Sequence, residues 1–151
     1  MKTTGSISET DFGAMREMLL DTVPLVAFLD RSERNHQRCV DFFKSYKGRL
    51  LTTEPVLTEA VYLLGPDFKN QKPAIDFILL GGAELLPLSP ELLKRSCQLM
   101  SKYADVPMDF ADATLVALAE ERGITDIVTL DRKDFSVYRT SSRKAFMVFP
   151  E

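Results

Sequence analysis

Two acidic residues directly follow apolar runs, at positions where they could form one hydrolytic site. Asp21 comes after Met18-Leu19-Leu20, and Asp131 comes after Ile127-Val128-Thr129-Leu130. Both runs are typical of buried strands. Ligands of open parallel sheets bind beyond the carboxyl ends of the strands, so the two acids are expected to lie together. Each acid alone could equally begin a loop, where Asp is common.

A third acid interrupts a helical stripe. Residues 54–64 predict a helix in which Val56, Glu59, Ala60 and Leu63 share one face. On that face Glu59 is a buried carboxylate, which needs a cation or hydrogen-bond donors. The alternative is a stripe displaced by one residue, with Glu59 in solvent.

A fourth acid repeats the pattern. Asp112 begins the stripe that continues through Leu115, Val116 and Ala119. Asp109, one turn earlier, either shares this face or is only the N-cap of the helix. In the same way Asp134, three residues after Asp131, either supports the site or begins the next turn.

A pocket of Asp21, Glu59, Asp112 and Asp131 predicts a particular cofactor. Two like charges ~5 Å apart repel by roughly 3 kcal/mol at an effective dielectric constant of about 20. Such acids must hold protons or bind a cation. Oxygen ligands without His or Cys favour a hard cation, Mg²⁺ or Mn²⁺.

The composition limits the class of protein. The chain has 151 residues, of which 45% are hydrophobic and 27% charged, which fits one folded domain. Its net charge of −3 is unusual for a protein that binds nucleic acid through its overall field, so a bound cation or a local basic patch would have to attract a phosphate backbone. Cys39 and Cys97 form no CxxC spacing, which favours reduced thiols and a cytoplasmic location. With His36 as the single histidine, the sequence argues against a catalytic triad that needs a buried imidazole.

Strands and helices alternate along the chain, which predicts one α/β domain with a mostly parallel sheet and helices on both faces. The expected strands are 18–21, 49–53, 84–88, 127–130 and 146–149. The expected helices are 24–32, 35–46, 54–64, 72–80, 89–103 and 109–122. We expect residues 1–14 to be a flexible N-terminal extension and 15–151 to be the folded domain.

Four segments, in order, resemble a PIN domain, and in particular the VapC-like ribonuclease toxins. They are Leu19-Leu20-Asp21-Thr22 with residues 24–30, Leu51-Thr52-Thr53 with Val56-Leu57-Thr58-Glu59-Ala60, Met108-Asp109-Phe110-Ala111-Asp112-Ala113, and Thr129-Leu130-Asp131-Arg132-Lys133-Asp134-Phe135. The resemblance covers nearly the whole chain from about Met15. One departure is Val23, where such toxins often have Gly, and it affects only the local turn.

The resemblance implies a three-layer α/β/α sandwich and RNA cleavage that depends on Mg²⁺ or Mn²⁺. It assigns the metal-binding and catalytic roles to Asp21, Glu59, Asp112 and Asp131. The supporting residues are Asp109, Asp134, Thr22 and Thr129. It also implies an antitoxin partner and a homodimer, for which Phe28, Phe42, Phe43, Tyr62 and Leu63 offer an apolar surface. Guiding of RNA would fall to Arg31, Arg34, Arg38, Arg132 and Lys133.

Three other functions compete with this one. A phosphoacceptor receiver domain needs an acidic pair after its first strand, whereas Asp21 stands alone. A phosphatase of the Asp-x-Asp type fails because Thr22 and Val23 follow Asp21. A PIN-like RNA-binding scaffold without activity remains possible, although the intact acids argue against it.

Overall fold

The computed structural model describes residues 15–151, so the expected extension 1–14 lies outside the described residues. Within them, the strands are Glu17–Leu20 (β1), Arg49–Thr52 (β2), Glu84–Leu85 (β3), Asp126–Val128 (β4) and Met147–Phe149 (β5). The helices are Thr22–Leu29 (α1), His36–Ser45 (α2), Glu54–Leu63 (α3), Phe68–Leu79 (α4), Pro90–Lys102 (α5), Phe110–Arg122 (α6) and Arg132–Val137 (α7).

The five strands form one parallel sheet in the order β3-β2-β1-β4-β5. The central strand β1 pairs with β2 through Leu19↔Leu51 and with β4 through Leu19↔Ile127. Parallel neighbours require crossover connections, and the helices between successive strands supply them. The predicted α/β architecture is confirmed.

Alternate residues of β1 enter two separate cores. Leu19 packs with Leu115 and Ile127 on one face of the sheet, whereas Met18 and Leu20 belong to the cluster on the other face. This division follows from the two-residue period of a strand. Helix α6 is buried from Ala111 through Ala119 and forms the centre of the first core. The acid at its first turn is therefore carried by one of the most firmly held elements of the fold.

Several predicted boundaries are wrong. Strand β4 ends at Val128. The N–H of Thr129 still donates to the Phe149 carbonyl of β5 (2.9 Å), but the chain bends at Leu130 and leaves the sheet. Asp131 is consequently not at the end of the strand but at the start of α7, a helix that the sequence pattern did not predict. Strand β3 is only two residues long.

The helices also differ from their predicted limits. Helix α1 begins at Thr22 rather than Pro24, because Asp21 caps it. Helix α4 begins at Phe68 rather than Lys72 and contains Pro73, whose missing N–H costs a single hydrogen bond of the helix.

Most of the expected dimer surface lies within the protein. The rings of Phe28 and Phe43 meet edge to face at 4.8 Å, and both contact Phe77. Phe42 is partly buried against the same core. Only Tyr62 and Leu63 of the five residues are exposed. None of the helices within residues 15–151 has the length and apolar character needed to cross a membrane.

Candidate metal centre

Three helix N-termini bring acids to the carboxyl edge of the sheet. Asp21 caps α1 and accepts a hydrogen bond from the N–H of Thr22 (2.8 Å). The other two helices begin with the same Asp-x-x-Asp pattern. Asp109 accepts from the N–H of Asp112 (2.7 Å) at the start of α6, and Asp131 accepts from the N–H of Asp134 (3.2 Å) at the start of α7. The positive end of each helix dipole thus faces the acids.

The acids of α6 and α7 form one group. Carboxylate oxygens of Asp112, Asp131 and Asp134, here called the acidic cluster, all lie within 4.8 Å of one another. Asp112 is only 7% exposed, whereas the two acids of α7 are half-buried. Asp134, which the sequence indicates as a supporting residue, has a carboxylate oxygen within 4.8 Å of Asp112, as does the preferred Asp131. These three oxygens are close enough to share one cation.

Asp21 is joined to the acidic cluster through Thr129. The Thr129 hydroxyl donates to Asp21 Oδ2 (2.7 Å) and accepts from the N–H of Asp131 (3.0 Å). Asp21 is 6% exposed, so Thr129 and the N–H of Thr22 are its compensation for burial. Thr129 therefore positions two of the candidate acids relative to one another.

Glu59 lies on the α1 side of the site. Its Oε2 accepts from the hydroxyl of Thr22 (3.0 Å), and its residue is half-buried. Val56 and Ala60 of its predicted stripe are fully buried, but Leu63 is 47% exposed, because α3 leaves the core near its end. The charge of Glu59 helps to raise the pKa of Asp21, which places the two carboxylates within electrostatic reach.

The two most buried acids hold their protons more tightly than usual. Burial raises the pKa of Asp21 to about 6, with smaller contributions from Asp109 and Glu59. Burial, followed by the charges of Asp21 and Asp109, raises the pKa of Asp112 to about 8. None of the ion pairs among residues 15–151 includes either acid. Neither carboxylate is therefore paired with a basic side chain among the described residues.

The donors fit a hard divalent cation. They are all carboxylate oxygens, and the charge that raises the pKa of Asp112 is the charge that a cation would neutralise. The single histidine is not among them, since His36 Nδ1 lies 2.7 Å from the Ala27 carbonyl. Thus the residues present suit Mg²⁺ or Mn²⁺ rather than a metal that prefers nitrogen or sulfur.

Sequence reasoning missed one polar residue at this site. The hydroxyl of Tyr138 donates to Asp112 Oδ2 (3.1 Å), and the residue is fully buried. Burial and the charge of Asp112 raise the pKa of Tyr138, so the hydroxyl keeps its proton. The sequence does contain a pattern from which Tyr138 could have been found. A capped helix start at Asp131 and Asp134 is followed by two aromatic residues on one face, Phe135 and Tyr138.

Basic residues stand beside the acidic site rather than in it. Arg38 Nη2 donates to the carbonyls of Pro150 (3.0 Å) and Glu151 (2.8 Å), and Arg132 Nη2 also donates to the Pro150 carbonyl. Arg31 and Lys133 are exposed. Two of the expected guiding residues are therefore engaged at the end of β5, next to α7.

An apolar groove of about 830 Å³ opens next to Glu59 and Asp109. Its walls come from α3, the start of α5 and the start of α6. They include Tyr62, Leu93 and Phe110, which are 80%, 44% and 42% exposed. The groove thus joins exposed apolar side chains to the acidic edge of the sheet.

Comparisons with known proteins agree with this geometry. The PIN domain family model matches residues 18–140. Ribonuclease VapC26 of Mycobacterium tuberculosis (strain ATCC 25618 / H37Rv) is 30% identical over 135 residues, which cover 88% of this chain and 100% of that protein.

Solved structures share the fold. VapC20 of M. tuberculosis, a Sarcin-Ricin loop cleaving toxin, superposes with a TM-score of 0.68 at 19% identity, over 73% of this chain and 86% of VapC20. VapBC2 from Rickettsia felis, bound to a DNA fragment from its promoter, superposes with a TM-score of 0.61 at 13% identity, over 88% of this chain and 97% of that one. The matched range 18–140 contains all four candidate acids, and the chain belongs to the PIN domain family.

Proposed function

We propose that this chain is a ribonuclease that hydrolyses RNA phosphodiester bonds with the help of Mg²⁺ or Mn²⁺. The acidic cluster carries the proposal. Its three carboxylates have oxygens within 4.8 Å of one another and form no salt bridge among residues 15–151, so they are stable together only with protons or a cation. Membership of the PIN family and the 30% identity to Ribonuclease VapC26 support the same activity. The receiver-domain alternative is set aside by that membership.

Asp21, Glu59, Asp112 and Asp131 would hold the cation, with Asp134 as a further ligand or as the support of Asp131. When bound, such a cation lowers the pKa of a water molecule and neutralises charge on the phosphate. Thr129 keeps Asp21 and Asp131 in register, and Thr22 holds Glu59. The helix N-termini fix the acids before substrate arrives, so little reorganisation is needed.

The direct test is cleavage of a fluorescent single-stranded RNA by the purified chain. We expect cleavage with Mn²⁺ or Mg²⁺, none with EDTA, and recovery when the metal is returned. Asp112→Asn should lose cleavage, whereas Asp30→Asn should keep it, since the Asp30 side chain lies at the far end of α1 and accepts hydrogen bonds from Ser32. Metal binding without cleavage of any RNA would favour the inactive scaffold.

We further propose that the chain is the toxin of a toxin-antitoxin pair. Support comes from relatives, among them a toxin-antitoxin complex from Klebsiella pneumoniae with the same fold (TM-score 0.60, 18% identity, over 80% of this chain and 91% of that one). The antitoxin would place a peptide over the acidic edge. Expression with the product of an adjacent small gene should yield a complex that does not cleave RNA. Separate elution of the two proteins would count against the pair.

A further inference from the structure

The hydroxyl of Tyr138 is buried, and the packing of the ring does not explain why the residue is a tyrosine. Its ring contacts Tyr103 and Phe135 edge to face at 5.2 and 5.1 Å, contacts that a Phe would make equally well. The hydroxyl is withdrawn from water and finds its partner in Asp112 Oδ2 (3.1 Å). A buried hydroxyl is costly without a partner, so the reason for a tyrosine at this position lies in that carboxylate.

The same residue is anchored to α7. Its N–H donates to the Asp134 carbonyl (3.2 Å) and ends the helix that carries Asp131 and Asp134. The ring is clamped between aromatic neighbours, so its hydroxyl has little freedom. Tyr138 therefore connects the acid of α6 to the acids of α7, which come from separate segments of the chain.

We propose that Tyr138 is a positioning residue for the metal centre. Its hydrogen bond to Oδ2 of Asp112 orients the carboxylate that would hold the cation together with Asp131 and Asp134. The inference rests on the proposed function, since it requires that Asp112 binds a metal. Hydrogen-bond partners of metal ligands contribute 10–100-fold to metal affinity, because they hold the ligand in its bound orientation.

The chain offers a matched control. Tyr103 belongs to the same aromatic group, but its hydroxyl accepts from the N–H of Arg139 (2.9 Å) and has no hydrogen bond to an acid within the described part of the chain. Tyr103→Phe and Tyr138→Phe each remove one hydroxyl from the same cluster. Only the second change removes a donor to a candidate ligand.

The experiment measures the Mn²⁺ dissociation constant by calorimetry on metal-stripped protein, with unfolding in urea and EDTA as a check on the fold. We expect Tyr138→Phe to weaken Mn²⁺ binding at least 10-fold, and Tyr103→Phe to change it less than twofold. In an Asp112→Asn background the Tyr138 change should have no further effect on the constant, because the bond would no longer position a ligand.

Equal Mn²⁺ affinity of the two phenylalanine variants overturns the positioning role and leaves the proposed ribonuclease function intact. A Tyr138→Phe chain that fails to fold in EDTA also overturns it, since the hydroxyl would then be structural. If the wild-type chain binds no Mn²⁺, the metal-dependent function and this inference fail together.

Discussion

The unpaired charge of Asp112 makes a prediction at the scale of one residue. Asp112→Asn removes a repelling carboxylate from beside Asp21 and Asp109 but keeps an oxygen for the Tyr138 hydroxyl. We expect the metal-free variant to be as stable as the wild type or more so, by about 1–3 kcal/mol at pH 8. Stabilisation by Mn²⁺ should shrink, because a ligand is lost. Melting curves with Mn²⁺ and with EDTA measure both effects.

Asp30→Asn is the control for this change. Hydrogen bonds from the Ser32 hydroxyl and N–H lower the pKa of Asp30, so its charge does not destabilise the fold. The variant should show no rise in metal-free stability and a normal Mn²⁺ shift. If Asp112→Asn instead destabilises the metal-free protein and leaves the Mn²⁺ shift unchanged, Asp112 is only a residue of the helix terminus.

The raised pKa values also predict how metal-free stability depends on pH. A carboxyl whose pKa is higher in the folded state stabilises the fold while it is protonated, and this stability is lost as pH rises. Both carboxyls have an ordinary pKa of 3.8. The free energy of unfolding should therefore fall between pH 4 and about 6 as Asp21 ionises, and between pH 4 and about 8 as Asp112 ionises. Urea unfolding in EDTA at several pH values measures it. Between pH 6 and 8 the free energy of unfolding of the wild type should fall more steeply than that of Asp112→Asn. Parallel curves would contradict a raised pKa of Asp112.

At the scale of elements, helix starts position the candidate acids other than Glu59, and for Asp21 the helix start is also the end of β1. Asp21, Asp109 and Asp131 each cap a helix, and the Asp-x-x-Asp pattern places a second acid in the first turn of α6 and α7. Caps and dipoles favour negative charge at these ends. The same feature that begins each helix therefore offsets part of the repulsion among the acids.

Two substitutions at Asp109 distinguish its role as a helix cap from the effect of its charge. Asp109→Ser keeps an oxygen that can accept from the N–H of Asp112, whereas Asp109→Ala removes it. Both changes remove a charge that raises the pKa values of Asp21 and Asp112. We expect the alanine variant to be about 1 kcal/mol less stable than the serine variant in urea unfolding. Equal stabilities would mean that Asp109 acts through its charge and not as a cap.

For the whole molecule, we predict a homodimer that buries the apolar groove. Tyr62 and Phe110 expose large apolar side chains on its walls, and monomeric proteins rarely expose such contiguous surfaces. Tyr62→Glu should shift sedimentation at micromolar concentration towards a species of about half the mass. Leu80→Glu, at an 87% exposed residue that follows the last residue of α4 and lies outside the groove, is the control and should leave the dimer intact. A wild-type chain that sediments only as a monomer would refute the prediction.

The sequence determined the class of fold and the identity of most candidate acids. Alternating strands and helices, with Pro and Gly at their ends, restrict the chain to a parallel α/β sheet. Asp112 stands out because a carboxylate on the face of Leu115 and Val116 is costly, and this cost is visible in helical spacing alone. The resemblance to PIN domains assigned the roles by position.

Only the tertiary structure decided which acids meet and what supports them. Asp134 joins Asp112 because α7 begins three residues after Thr129, whose N–H still bonds β5. The length of this connection depends on pairing with β5 and not on local propensity. Tyr138 reaches Asp112 across 26 residues of sequence. No periodic pattern in the sequence predicts either contact, because each depends on how α6 and α7 pack against the same core.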